Sequence, residues 1–173
     1  MVKFMLLIKA ELDNITDLQP QGGCDDDNFR YYFKLKCTLC GEITQKETYV
    51  RLVETVPHPV GKDHTRLGKG HTHLVQKCKF CGRDGTITMI SGLGRPLTHA
   101  DSAAGKSAPL MLFDCRGFEP LDYVFRGEWE AESLKGTIFE GIDLSGDEFV
   151  EYDERGEAPV MTSRPSATFN VVK

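Results

Sequence analysis

Two near copies of one short motif dominate the chemistry available to this chain. They are Cys37-Thr38-Leu39-Cys40-Gly41 and Cys78-Lys79-Phe80-Cys81-Gly82, each preceded by a lysine, Lys36 or Lys77. Cys-x-x-Cys at a hairpin tip directs two sulfurs to one point, and the glycine after it supplies φ > 0 while letting backbone N–H groups approach the sulfurs. Two such knuckles facing each other complete a tetrahedral shell of four sulfurs. Soft thiolates in that geometry select zinc, with an iron–sulfur centre as the lesser alternative. The expected cofactor is therefore one Zn²⁺ per chain, held by Cys37, Cys40, Cys78 and Cys81.

Four cysteine ligands leave no open coordination position, whereas a catalytic zinc keeps one, usually beside His or carboxylate ligands. The zinc-deaminase signature is absent too, since no His is followed two residues later by Glu. A dithiol redox role calls for a single Cys-x-x-Cys opening a helix after a strand; here there are two, each followed by β-like sequence. The expectation is a structural metal and no enzymatic activity. Lys34, Lys36, Lys77, Lys79 and Arg83 lie near enough in sequence to offset the negative charge of four thiolates around a divalent ion. His58, His64, His71 and His73 fall in one turn-rich stretch without acidic residues at matching spacing, and are left outside the ligand set. Cys24, in an acidic loop, is expected to be an exposed thiol, and Cys115, in line with Met111 and Phe113, a buried one.

Other fragments fail as sites. Ala100 to Ser107 lacks the first glycine of a phosphate loop and is followed by Pro109 where a helix is needed, and Gly92-Leu93-Gly94-Arg95-Pro96 reads as a turn.

Between the Cys pairs lie 37 residues, more than the roughly fifteen to twenty of a compact zinc ribbon. The knuckles are thus expected within a larger scaffold. That scaffold reads as mainly β: Phe29, Tyr31, Phe33 and Leu35 alternate onto one face of a strand running into Cys37. Further strand-like segments are 1–12, 48–56, 74–77, 86–90, 110–116, 137–140, 149–152 and 167–172, each bounded by Gly, Pro, Asp or Asn. No long window keeps a helical apolar period.

The 173 residues suit a single compact unit. A Gly-, Ala-, Ser- and Pro-rich stretch, 92–109, is the expected connecting loop between a zinc-bearing half (1–91) and a second half (110–173). Charge separates them. Residues 28–90 carry eleven Lys and Arg against five Asp and Glu, while residues 113–160 carry four against fourteen. A faint echo, Leu12-Asp13-Asn14-Ile15-Thr16 against Phe118-Glu119-Pro120-Leu121-Asp122, suggests two related β halves packed together, with the paired knuckles inserted in the first.

The longest apolar run, Met5 to Ile8, is too short to cross a bilayer, and Lys9 and Glu11 interrupt any secretory leader. The expected setting is cytoplasmic or nuclear, without a membrane, where paired cysteines read as metal ligands and not as a disulfide framework. A net charge of −5 argues against duplex nucleic acid as the main partner. An unidentified protein partner is the expected one, met by a monomer through the basic half or through the acidic face, where Trp129 either anchors the contact or, with at least equal weight, packs in the core. Nucleic-acid binding by a zinc-ribbon-like module is an alternative, as is metal or thiol handling; no aromatic-and-basic stacking patch is evident to favour the former.

The segments Lys9 to Thr16, Lys36-Cys37-x-x-Cys40-Gly41-Glu42, Val75-Gln76-Lys77-Cys78-x-x-Cys81 and Cys115-Arg116-Gly117-Phe118-Glu119-Pro120-Leu121-Asp122 together resemble the eukaryotic CXXC-motif-containing zinc-binding protein family. The resemblance spans nearly the whole chain. It implies a single-zinc, mainly β protein of two related halves with no established activity, and it carries the ligand role onto Cys37, Cys40, Cys78 and Cys81. The chain departs from the family pattern at Lys69-Gly70-His71-Thr72-His73.

Overall fold

The computed structural model describes residues 2–59 and 70–173. His64 and most of the histidine-bearing stretch lie outside the described residues. Among those described, the elements are β1 (Val2–Asp13), β2 (Ile15–Pro20), β3 (Tyr31–Cys37), β4 (Thr48–Val50), β5 (Val56–Pro57), β6 (His71–Thr72), β7 (Leu74–Lys77), β8 (Asp84–Ile90), α1 (His99–Ala103), β9 (Ala108–Arg116), β10 (Phe118–Val124), β11 (Trp129–Ser133), β12 (Ile138–Ile142), β13 (Glu148–Asp153) and β14 (Ala158–Val172). The fold is mainly β, as its alternating apolar positions require.

Topology shows why the two halves are related. The large curled sheet runs β13-β14-β1-β9-β8-β7, and two small sheets run β10-β3-β4 and β2-β11-β12. Exchanging β1 with β9, β2 with β10, β3 with β11, β4 with β12, β7 with β13 and β8 with β14 maps every one of these sheets onto itself or its counterpart. The halves therefore trade strands: β2 of the first pairs with β11 of the second, and β10 of the second pairs with β3 of the first. Individual hydrogen bonds repeat as well. Thr38 N–H donates to Gly117 O at 3.1 Å, and its counterpart Leu134 N–H donates to Asn14 O at 3.1 Å.

Gly117 and Asn14 hold the same place. Each sits at positive φ, 82° and 58°, where the chain leaves the large sheet and enters a small one, a backbone state that glycine and asparagine tolerate best. Gly85 packs against this corner: a Cβ there would lie 2.3 Å from the Phe118 ring and 2.6 Å from Arg116 O. The Cys115 to Pro120 motif, which no metal chemistry requires, is thus the sheet-to-sheet corner.

The core lies between the sheets. Its centre is a cluster of rings, with Phe33 against Phe113 at 5.4 Å and Phe169 at 5.6 Å, and Phe29 between Tyr31 at 4.9 Å and Trp129 at 5.5 Å. Trp129 is fully buried, which settles its two readings in favour of core packing. Cys24 is a correction: it is buried and not exposed, and Tyr31 donates its hydroxyl proton to the Cys24 carbonyl at 2.7 Å. Its acidic neighbours face solvent while the chain reversal at Gly22 and Gly23 turns the thiol inward. Cys115 is buried as its register predicts.

The stretch joining the halves is more ordered than its composition suggests. Leu97 is buried and bridges to Leu18, and Thr98 caps α1 by accepting from Asp101 N–H while the Asp101 side chain accepts from Thr98 N–H.

Candidate metal centre

β3 delivers Cys37, and the loop before β4 delivers Cys40; the turn between β7 and β8 delivers Cys78 and Cys81. Each loop closes in the same way. Gly41 N–H donates to Cys37 O and Gly82 N–H to Cys78 O, both at 2.9 Å, with the glycines at φ 81° and 76°. A side chain at either glycine would force a strained conformation in the residue that ends the loop.

All four sulfurs lie within 4.8 Å of one another. The closest approaches run between the loops, Cys37 to Cys81 at 3.7 Å and Cys40 to Cys78 at 3.6 Å. Zinc–sulfur bonds of about 2.3 Å at tetrahedral angles place sulfurs about 3.8 Å apart. The donor set therefore fits a single thiophilic cation, with Cys37 and Cys78 buried and Cys40 and Cys81 facing solvent.

Backbone amides tune the sulfurs. The N–H of Cys40, with that of Leu39, draws the Cys37 thiol down to about 6, and the N–H groups of Cys81 and Phe80 lower Cys78. Although the Glu42 N–H meets Cys40, desolvation and the neighbouring sulfurs of Cys78 and Cys37 push it up to about 12. Cys81 is raised similarly despite the Arg83 N–H. Four sulfurs this close cannot all ionise without a cation between them, which is the condition a metal satisfies. Lys34 and Lys36 alternate with Leu35 and Cys37 and so stand on the opposite face of β3, while the Arg83 guanidinium donates to the Thr38 hydroxyl at 3.5 Å.

The described histidines stay out of the cluster. His58 is buried, His71 is exposed on β6, and His73 accepts from Met89 N–H through Nδ1 at 2.9 Å, with burial holding its pKa below the usual value. Sequence reasoning missed Gly117, whose carbonyl accepts from both the N–H and the hydroxyl of Thr38, at 3.1 Å each, and ties the first loop to the sheet corner. Only the topology brings those positions together.

Fold and donor set define a class: a metal-binding β protein of two related halves with one four-cysteine centre. The chain belongs to the eukaryotic family of CXXC motif containing zinc binding proteins, whose family model matches residues 5–170. The family's human protein is 37% identical over 161 residues, and that of Xenopus laevis 36% identical over 161 residues, each match covering 92% of both chains. The crystal structure of C1orf123 is 35% identical, with a TM-score of 0.81, covering 96% of this chain and 98% of that one. A hypothetical protein from Plasmodium falciparum shares the fold at 19% identity, with a TM-score of 0.79, covering 98% of this chain and 100% of that one.

Proposed function

We propose that this chain is a non-catalytic, cytoplasmic or nuclear monomer in which one zinc ion is a structural cross-link, and that the loops the metal fixes dock a protein partner. The zinc would be held by Cys37, Cys40, Cys78 and Cys81, and it supplies a four-way bond between two hairpins with no position left for substrate. The observation that carries the docking role is the exposure of large apolar side chains at the loop tips. Leu39 is 66% and Phe80 is 72% exposed, each immediately before a solvent-facing cysteine, Cys40 or Cys81. Phe80 lines a groove of about 550 Å³ together with Ile43, Phe118, Lys46, Lys77 and Glu47. Exposed apolar groups rimmed by polar ones are the usual signature of a contact site.

Affinity capture with wild type beside Phe80→Asp and Cys78→Ser, Cys81→Ser variants tests this reading. A partner set lost with both supports metal-fixed docking; one retained by both contradicts it. A second reading, metal handling, is favoured by the solvent-facing sulfurs of Cys40 and Cys81. It requires a competing chelator to withdraw the ion quickly from protein that stays folded.

A further inference from the structure

The outer face of the β10-β3-β4 sheet carries a ladder of rings and guanidinium groups that no single stretch of sequence reveals. Tyr32 on β3 and Tyr49 on β4 are register partners with ring centroids 5.4 Å apart. Arg30 lies over the Tyr49 ring at 4.8 Å and Arg126, from the segment after β10, lies over the Tyr32 ring at 5.0 Å. Along β3 the same face continues through Lys34 and Lys36, which stand opposite Leu121 and Glu119 of β10. Acidic groups are present but outnumbered: Glu47 pairs with Arg126 at 2.9 Å, and Glu54 pairs with Arg51.

The fold itself does not need this ladder. In the second half the corresponding strand, β11, ends at Ser133 as β3 ends at Cys37, so Tyr32, Lys34 and Lys36 correspond to Glu128, Glu130 and Glu132. The inward positions keep their character, Phe33 matching Trp129 and Leu35 matching Ala131, all buried. The interior has been maintained while the outer face has reversed its charge. A guanidinium stacked on tyrosine offers its other plane to a further π-system and its N–H edge to an anion.

We propose that this face binds single-stranded nucleic acid, with bases stacking on the Arg30–Tyr49 and Arg126–Tyr32 pairs and phosphates meeting Lys34 and Lys36. Duplex is disfavoured because its bases are already stacked. A carboxylate-rich peptide would use the lysines but gain little from the rings, and the ring–guanidinium ladder is the larger part of the face. This goes beyond the docking reading above and uses residues outside the metal loops.

The test is fluorescence anisotropy of zinc-loaded protein with a short labelled oligouridylate, the same-length oligothymidylate, a duplex and polyglutamate, at low and physiological salt. Expected are binding of the single strands over the duplex and polyglutamate, about tenfold weaker binding for Tyr49→Ala, and restoration by Tyr49→Phe. Lys34→Glu should weaken binding and flatten its salt dependence, whereas Glu130→Gln on the corresponding acidic face should change nothing. Should Tyr49→Ala fail to retain metal, Arg30→Ser at an exposed position supplies the same comparison. Absence of single-strand binding at low salt overturns the proposal, as does equal affinity for polyglutamate that the Tyr49 and Arg30 variants leave intact.

Discussion

The two halves solve one structural problem with different chemistry. In the first, amide N–H groups at the turn aim at the sulfurs of Cys37 and Cys78, and the two loops bring four sulfurs together in position for one metal. In the second, equivalent loops end β11 and β13 at Ser133 and Asp153. There Thr137 N–H and Lys135 N–H donate to Ser133 Oγ at 3.0 and 3.3 Å, and Arg155 N–H donates to Asp153 Oδ1 at 3.2 Å. The Thr137 hydroxyl then donates to Asp153 at 2.5 Å and joins the loops without a metal. Cys81 corresponds to Gly156, where a Cβ would lie 2.6 Å from Asp153 Oδ2. The second half has thus closed its loops around a carboxylate, and the lesson is that the turn amides are the shared device, sulfur or oxygen their interchangeable target.

The largest expected effect follows from breaking the metal half. Structural zinc contributes roughly 10–16 kcal/mol of apparent binding free energy, comparable with the whole stability of a domain. Cys78→Ser with Cys81→Ser should abolish metal binding and unfold the 37–48 and 74–85 region, read as lost zinc stoichiometry and a broadened, lower thermal transition.

Next come the matched core aromatics. Phe33 and Trp129 are both fully buried, so Phe33→Ala and Trp129→Ala should each cost about 3–5 kcal/mol by chemical denaturation. Only the first sits on the strand that carries a cysteine, and it alone should loosen metal retention; equal metal loss from both would blur the division drawn here.

A smaller effect sharpens the corner. By the same correspondence Gly85 and Phe118 of one corner match Val160 and Ile15 of the other, small beside large exchanged for two of middling size. Gly85→Ala should destabilise by about 1–3 kcal/mol through overpacking against Phe118, and Phe118→Ile in the same chain should recover part of that loss.

The smallest is a pH effect on the second half. The Thr137 hydroxyl first, then the Ser133 hydroxyl and nearby N–H groups, hold Asp153 below the ordinary carboxylate value of 3.8. Its ionised form therefore favours folding: the contribution is present above that ordinary value and is lost as the pH falls through the depressed one. Asp153→Asn should lower the melting temperature at neutral pH, leave zinc content unchanged, and converge on wild type in acid.

The site was readable in the sequence because Cys-x-x-Cys-Gly encodes its own loop: the spacing, the glycine and the sulfur chemistry are all local. The long strands were readable for a similar reason, since alternation through Phe29 to Leu35 survives in one window. What escaped was set by distant partners. β2 and β10 are interrupted by Asp17 and Asp122 at φ 58° and 52°, bulges that break the alternating pattern while the strands stay paired. β11 reads as an acidic run because its outer face is Glu130 and Glu132, and Trp129 and Ala131 are the two apolar residues on its buried face, with Ser133 beside them. The echo in sequence was likewise displaced: it set Leu12 against Phe118, whereas structurally Asn14 answers Gly117, because a duplicated fold conserves the corner and not the letters around it. Cys24 was misplaced because acidic neighbours say nothing about which way a turn directs the side chain between them.

Hydrogen exchange on the zinc-loaded protein before and after chelation tests the central claim most directly. The account predicts one zinc per chain and, on its removal, lost amide protection in the Cys37–Thr48 and Leu74–Asp84 segments while Trp129–Asp153 keeps its own. Unchanged protection around the cysteines, or equal loss in both halves, would contradict a metal that serves as the cross-link of the first half alone.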